Sequence, residues 1–598
     1  MRKAFLLAAV LGRDLASLAR KYHYLSAAVF FVSFVALLHK EVLLDMSGLV
    51  LAGQQVGGFF SWLFWWWSYA VQNGLPLFHT GLLMYPAGVP VFFHSPVNEL
   101  SAVLLQLFTT PYAAYNLLTL ACYVLTGLSA YLLFYRLTRS AVASLCGAFC
   151  YAFSSYMVVQ HYHGQVIEAT LYFNPLLALA LISYREKADL RGAFLVAAAL
   201  AGVFLSGPYV AFSFGAVFLA GALLYDAFWG GRRLFNARAL LQLAGAAAAA
   251  GAVALVFYWP LLKYSGRWVG GSQFYSASLL SFIDLPFWHS GQFAQRLRFF
   301  EGVNVPPEMI MSYLGAGTLA LGAYGIWKGL HKESGFAFWL WLFGFSAVLT
   351  LGPWLKLSPE SQTWVPLPYL LLKSLPVVSS FRNSSRILMT VTLAASAIAA
   401  LSLSELLRGR SRAWRLAAGA VFLAAVFFEF DLAVIGKRYA SSAPSPVYEV
   451  LRRDAGAGAV LELPAVYDRE GNLLIRMQSY MLFQPYHRRP LVLGYPSRHL
   501  LSSLEFTEKT EGVYELTHPW VLAGLNSKPA LKARKAWLAA HSARLLREAG
   551  IKYVVYHPER VLGEELHRDL EKWLPETLGR PLLTDGAGNQ LFVTGGGS

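Results

Sequence analysis

Charge is what this chain has least of. Asp, Glu, Lys and Arg make up only 14% of its 598 residues, while 56% are hydrophobic; soluble domains carry ~25% charged residues. A soluble fold cannot hide that much apolar surface, so an ordinary water-soluble globule is excluded and lipid must cover the remainder. Acids are scarcer than bases, 33 against 49, for a net charge of +16. The bases stand in short clusters between apolar runs, which speaks against nucleic acid as a partner and for anionic lipid headgroups. Cysteine is nearly missing. Cys122, Cys146 and Cys150 all fall inside apolar runs, where thiols pack inertly and no disulfide is expected. No obvious cleaved signal peptide is present either. The run after Arg2 and Lys3 is broken by Arg13, Asp14, Arg20 and Lys21, so residues 1–23 read as an amphipathic cytoplasmic segment.

What the chain does have is long apolar runs. A membrane-spanning helix needs ~20 mostly apolar residues. The spacing predicts eleven spans, at about 24–43, 113–135, 141–158, 166–184, 191–207, 209–228, 239–260, 309–327, 336–353, 387–405 and 414–434. Alternate connections carry the bases: Arg136 and Arg139; Arg185, Lys187 and Arg191; Arg232, Arg233 and Arg238; Lys328 and Lys332; Arg408, Arg410, Arg412 and Arg415. Connections 44–112, 159–165 and 206–208 have no Lys or Arg. This is positive-inside patterning in a multi-pass protein of the inner (plasma) membrane, and it places the N-terminus in the cytoplasm. The predicted membrane domain is 24–436, with long outer loops 44–112, 261–308 and 354–386; loops of that length are usually functional. From 437 the charge rises and the spans stop. Val460–Pro464, Pro490–Leu493 and Lys552–Tyr556 read as strands, 530–549 and 558–574 as helices, and 581–594 as a hairpin around Asp585-Gly586. Residues 437–594 are therefore expected to form a small extracytoplasmic α/β domain. That domain has no Walker motif, Gly-rich dinucleotide fingerprint or zinc signature. Gly595–Ser598 reads as a linker remnant.

Several polar groups stand out against this background. Lys263, Arg267, Arg296, Arg298, Lys356, Lys373, Arg382 and Arg386 lie in outer loops against the positive-inside bias. Arg382 and Arg386, at the outer end of the tenth span, are either a phosphate clamp or snorkelling side chains. His161, His163 and Glu168 fall in one short outer connection. His-x-His with a carboxylate would suit a divalent metal such as Mg or Mn, or a phosphate, and equally three capped helix ends. Glu168 falls at or just inside the fourth predicted span, where an ionisable group is costly and by default functional. Loop 44–112 carries only Asp45 and Glu99 as charges. Its run Trp62–Trp67 suits an interfacial helix at headgroup depth, ahead of a sugar-stacking platform.

The order of several loose motifs is more specific than any one of them. Trp62-Leu-Phe-Trp-Trp-Trp-Ser-Tyr-Ala70 is followed by Asn73–Phe78 and Tyr85-Pro-Ala-Gly-Val89. Tyr115–Leu118, Gly127–Leu132, Tyr151–Tyr156 and His163-Gly-Gln165 come next, then Leu375–Arg382, Ser385-Arg386, Val460–Pro464 and Gly550–Tyr556. In this order, over most of its length, the chain resembles bacterial polytopic glycosyltransferase-like membrane proteins of the GT-C superfamily, the YfhO-type proteins and their relatives. The resemblance implies a GT-C-like helical fold and transfer of a sugar from a polyprenyl-phosphate donor to a glycan, lipid or protein acceptor on the outer face. It implies an acid in the first outer loop that handles the acceptor, and bases that hold the lipid phosphate. The residues it points to are Asp45 and Glu168 as catalytic carboxylates, with Gln54, Gln55, Tyr85, His163, Gln165, Arg382 and Arg386 for substrate. The family's Gly-Asp before the aromatic helix is replaced here by Gly53-Gln54-Gln55, and glutamine cannot act as a base. That departure keeps a non-catalytic scaffold of an envelope assembly as the second expectation. A transporter or lipid flippase ranks third, because no internal repeat is visible and the charges sit near membrane boundaries.

Overall fold

A computed structural model describes residues 22–53, 56–262, 275–286, 288–291, 312–359, 361–375, 378, 381, 383–465, 477–494, 505–518, 532–560 and 564–595. The chain divides into two compact units. The first is Met1–Leu44, Phe93–Ser101 and Leu117–Arg438; the second is Asp45–Phe92, Ala102–Asn116 and Tyr439–Ser598. The first outer loop thus contributes to both, and most of it belongs with the C-terminal part of the chain.

The first unit is helical. Four helices are long and apolar enough to cross a membrane by length and composition: Pro111–Thr138, Pro208–Phe228, Ala237–Leu262 and Ser384–Leu406. A fifth is possible if Ala141–Ala152 and Ser155–Tyr162, bent by 41° at their junction, count as one span. The eleven spans expected from hydropathy are therefore not established by helix length. His23–Leu38 has 16 residues and Ser334–Thr350 has 17; at ~1.5 Å per residue such helices reach ~25 Å of a ~30 Å hydrocarbon core.

Helix Leu388–Leu406 is buried on nearly all sides. Its small residues allow this: a Cβ on Gly147 would lie 2.7 Å from the Ala400 methyl, and one on Gly325 would meet the Ser402 hydroxyl. Close helix approach through Gly, Ala and Ser is how apolar helices gain packing where no hydrophobic drive exists. Ala211–Ala216 is π-helical, and the Ser213 carbonyl accepts from the Thr390 hydroxyl at 2.8 Å, which satisfies a backbone group in an apolar setting. Helix Ala237–Leu262 buries only Ala239, Ala246, Ala250 and Ala254, while Leu241, Val253, Leu255, Val256 and Trp259 are exposed. A thin small-residue stripe with bulky apolar residues elsewhere is the pattern of a lipid-facing helix.

One predicted span starts late. The fourth was expected from residue 166, but the helix is Phe173–Lys187 and residues 164–172 form turns. Gly164 at φ +76° turns the chain, a conformation that glycine adopts without strain. Glu168 therefore sits in the turn ahead of the helix.

The second unit holds a four-stranded mixed sheet in the order Ala459–Leu463, Ile551–Tyr556, Gln590–Val593, Leu583–Thr584. The first pair is parallel and the others antiparallel. Pro490–Leu493 does not form a strand of its own. It makes a single bridge, Leu491 to Val460, and Leu491 also bonds to Leu82 and Tyr85 of the first outer loop. The helix expected over 558–574 is Glu564–Leu578, preceded by a 3-10 turn, and the other helix is Lys532–Glu548. Leu49–Leu51 pairs antiparallel with Tyr439–Ser441. Buried Asn116 anchors that strand, accepting from Leu51 N at 3.0 Å and donating to the carbonyls of Met46 and Leu49.

The tryptophan run is core, which corrects the interfacial reading. In helix Val56–Gln72, Trp62, Trp65, Trp66 and Trp67 are all buried. Trp62 donates to the Gln484 side chain at 2.5 Å and Trp66 to the Leu77 carbonyl at 3.1 Å. Gly58 admits the Gln478 backbone, which a Cβ would meet at 2.6 Å. Once their N–H groups have partners, indoles serve as core packing as readily as interface anchors.

His487 makes this unit acid-sensitive. Its buried ring lies parallel to Tyr448, its Nδ1 accepts from Arg489 N, and burial together with the Arg489 charge pushes its pKa down to about 3. The unfolded chain takes up this proton near ~6.5, so the stability contribution is complete above that pH and is lost as pH falls toward the folded value. The melting temperature of the detergent-solubilised chain should fall between pH 6.5 and 4, and His487→Asn should flatten that slope. An unchanged slope in the variant would assign the effect to other groups.

Candidate functional site

Glu168, Arg386, Tyr209 and Tyr156 come together in the helical first unit. The turn carrying Glu168 is fixed by its own backbone: Gln165 N donates to Gln160 O at 2.8 Å and Glu168 N to Gln165 O at 3.1 Å. It is also held from outside, because Asn98 Nδ2 donates to the Thr170 hydroxyl at 2.6 Å. Glu168 is buried. Arg386 comes from a different place, the 3-10 turn Ser384–Ile387 that leads into the central helix. Its Nη1 lies 2.8 Å from Glu168 Oε1, with side-chain exposures of 12% and 5%. The guanidinium lies 3.8 Å from the centre of the Tyr209 ring. Tyr209 follows the Gly207 turn and stands edge-on to Phe381, which stacks on Phe212. Buried Tyr156 is within electrostatic reach of both charges, and its hydroxyl has no hydrogen-bond partner among the described residues. In a low-dielectric setting the two opposite charges hold each other, and the aromatic face supplies a cation–π contact.

Other expected site residues lie elsewhere. Gln165 is half-buried in the turn before Glu168. His163 caps the C-terminal end of Ser155–Tyr162, near Arg438, whose guanidinium lies over Tyr162 at 4.1 Å. His161 turns away from that pair toward His39, with ring centres 4.9 Å apart. Both of these rings are buried, and none of their four nitrogens has a hydrogen-bond partner among the described residues. Among the described residues, no three His, Cys, Asp or Glu side chains gather into a group that would hold a metal ion. His161, His163 and Glu168 are thus not a ligand set; the carboxylate is directed to Arg386 and His161 to another histidine. Asp45 is exposed and accepts from Gly48 N at 2.8 Å, capping its own turn. Asp45 and Tyr85 belong to the second unit. Arg382, Gln54 and Gln55, like Lys263, Arg267, Arg296 and Arg298, lie outside the described residues.

Sequence reasoning passed over Glu99. Its carboxylate is fully buried, accepts from His94 N at 2.9 Å and Ser95 N at 3.4 Å, and lies 3.8 Å from the His94 ring. Burial pushes its pKa up, opposed by the hydrogen bonds and charge of His94. The signal was a lone acid in an uncharged stretch, just after the Ser95-Pro96 helix start.

Solved structures share this helical architecture. The fold is that of the GT-C glycosyltransferases. ArnT from Cupriavidus metallidurans, solved bound to undecaprenyl phosphate, is similar at a TM-score of 0.50 and 12% identity, over 95% of this chain and 97% of its own. The arabinofuranosyltransferase AftD from Mycobacteria gives 0.51 and 14%, over 96% of this chain but only 42% of AftD. The oligosaccharyltransferase AglB from Archaeoglobus fulgidus, solved with an inhibitory peptide and a dolichol-phosphate, gives 0.48 and 12%, over 90% of this chain and 70% of AglB; the fold assignment rests on the first two. The chain belongs to the family DUF6311, a domain of unknown function, whose model matches residues 8–428. A comparison with curated proteins finds no match.

Removing one member of a buried pair leaves the other charge uncompensated, at a cost of ~3–5 kcal/mol. Arg386→Ala should lower the melting temperature of the solubilised chain more than Glu168→Gln, which keeps an acceptor for the guanidinium. Equal melting temperatures for wild type and Arg386→Ala would show that the pair is not buried.

Proposed function

We propose that the chain is a membrane glycosyltransferase that moves a sugar from a polyprenyl-phosphate carrier to an acceptor on the extracytoplasmic face, in the manner of the YfhO-type proteins. The observation that carries this reading is the Arg386–Glu168 pair, a guanidinium and a carboxylate set side by side in an apolar helical body. In this reading a lipid-linked donor reaches such a site from the bilayer. Arg386 binds the carrier phosphate and stabilises the charge that grows on it as the sugar C1–O bond breaks. Glu168 takes the proton from the acceptor hydroxyl as its oxygen bonds to C1. Tyr209 keeps the guanidinium in place when Glu168 is protonated. The cytoplasmic N-terminus and the inner-membrane location follow from the distribution of bases.

The scaffold reading stands second, on one specific observation: Gly53-Gln54-Gln55 has no acid, and Asp45 caps its own turn.

Native mass spectrometry of the solubilised chain with undecaprenyl phosphate tests the first reading, with undecaprenol as the control. The chain should retain the phosphate form and not the alcohol, and Arg386→Gln should weaken retention at least tenfold. Asp45→Asn should bind as wild type does. Equal retention of both lipids, or no effect of Arg386→Gln, would remove the phosphate-binding role and leave the scaffold reading.

A further inference from the structure

The second unit carries a pocket that the reaction above does not use. It has a volume of about 400 Å³ and is lined by Tyr85, Asp454, Gly456, Ala457, Gly458, His487, Arg488, Arg489 and Pro490. That lies within the ~300–1,000 Å³ range of small-ligand sites. Its frame is rigid. Arg489 is buried and donates to the carbonyls of Leu451, Asp454 and Gly456, and to the Asp454 carboxylate at 3.0 Å. Asp454 also accepts from Lys552, Tyr553 and Gly456 N, so its charge is fully engaged. Gly456 and Gly458 leave bare backbone in the wall: a Cβ at either would strike the Lys552 side chain, at 2.6 and 2.4 Å.

Arg488 differs from its neighbours. It is exposed, and its backbone is left-handed at φ +58°, a conformation that a side-chain-bearing residue keeps only when its surroundings impose it. Here Arg488 is the C-cap of the short helix Gln484–His487, its backbone N–H donating to Gln484 O. The guanidinium is held 5.5 Å from the centre of the Tyr69 ring, and among the described residues none of its donors has a protein partner. Among the lining residues the cations Arg488 and Arg489 outnumber the single carboxylate of Asp454. A fork of uncommitted N–H donors on an aromatic shelf, in a net positive pocket, matches a planar or tetrahedral oxyanion. Tyr85, in the same lining, offers a ring and a hydroxyl suited to a sugar.

We propose that this pocket is an oxyanion subsite that holds the acidic group, carboxylate or phosphate, of a saccharide acceptor, with Arg488 as its binding residue. The proposal rests on the glycosyl-transfer reading for the word acceptor, while the binding itself can be tested apart from it.

The test is saturation-transfer NMR on the full detergent-solubilised chain with glucuronic acid, glucose 1-phosphate and glucose, with inorganic phosphate added as a competitor whose strength is read from the loss of the glucose 1-phosphate signal. At least one of the two acidic sugars should bind tenfold or more tightly than glucose, and which of them does so identifies the anion. Raising the salt should weaken it. Arg488→Ala should abolish the preference and Arg488→Lys should reduce it; Arg488→Gly, which accepts the backbone angle without strain, serves if the alanine variant misfolds. Equal binding of glucose and both acidic sugars, indifference to Arg488, or inorganic phosphate matching glucose 1-phosphate would overturn the proposal. If sugar binding depends on Arg488 while the chain does not retain undecaprenyl phosphate, the subsite stands and the transfer reading falls.

Discussion

An ion pair in an apolar helical body is expensive before it is useful. Taking a guanidinium and a carboxylate out of water costs several kcal/mol per ion, and the attraction between them offsets this only when the geometry is held. Much of the surrounding structure meets that condition. The turn bearing Glu168 is closed by its own backbone and tied to Asn98. The 3-10 turn bearing Arg386 leads directly into the most deeply buried helix, and Tyr209 covers the guanidinium. With these supports the pair keeps its geometry inside the helical body.

The same demand, that buried polar groups find partners, organises the second unit. The indoles of Trp62 and Trp66 are bonded and so pack as core. Asn116 satisfies three backbone groups of the strand region it anchors, and Arg489 satisfies three carbonyls. His39 and His161 are the contrast, with ring nitrogens lacking hydrogen-bond partners among the described residues. A buried polar group in that condition raises the free energy of the fold, and no compensating contact for it is visible among the described residues.

Some of the candidate site was legible in the residues. Glu168 stood out because an acid near a span is costly, and Arg386 because it broke the positive-inside bias. Each was found for its own reason, and nothing in the chain said that they touch. His161, His163 and Glu168 are close in sequence, but the Glu168 carboxylate meets Arg386 and the His161 ring lies against His39. Trp62–Trp67 misled because an aromatic run has the same composition whether it faces headgroups or a protein core. Glu99 was seen only as a charge, since its burial depends on chain that packs over it.

The sequence by itself determined the helical, lipid-covered character of the first unit and most of its helix positions, because hydropathy and 3.6-residue periodicity act within each segment. The late start of Phe173–Lys187 was not among them: hydropathy carried that span back to residue 166, and the turn before the helix is held by Asn98. Tertiary structure alone decided that Glu168 meets Arg386, that the aromatic run is core, and that Arg488 stands uncommitted beside a pocket. Those outcomes depend on which distant segments come together, and a contact between distant segments leaves no local pattern in either of them.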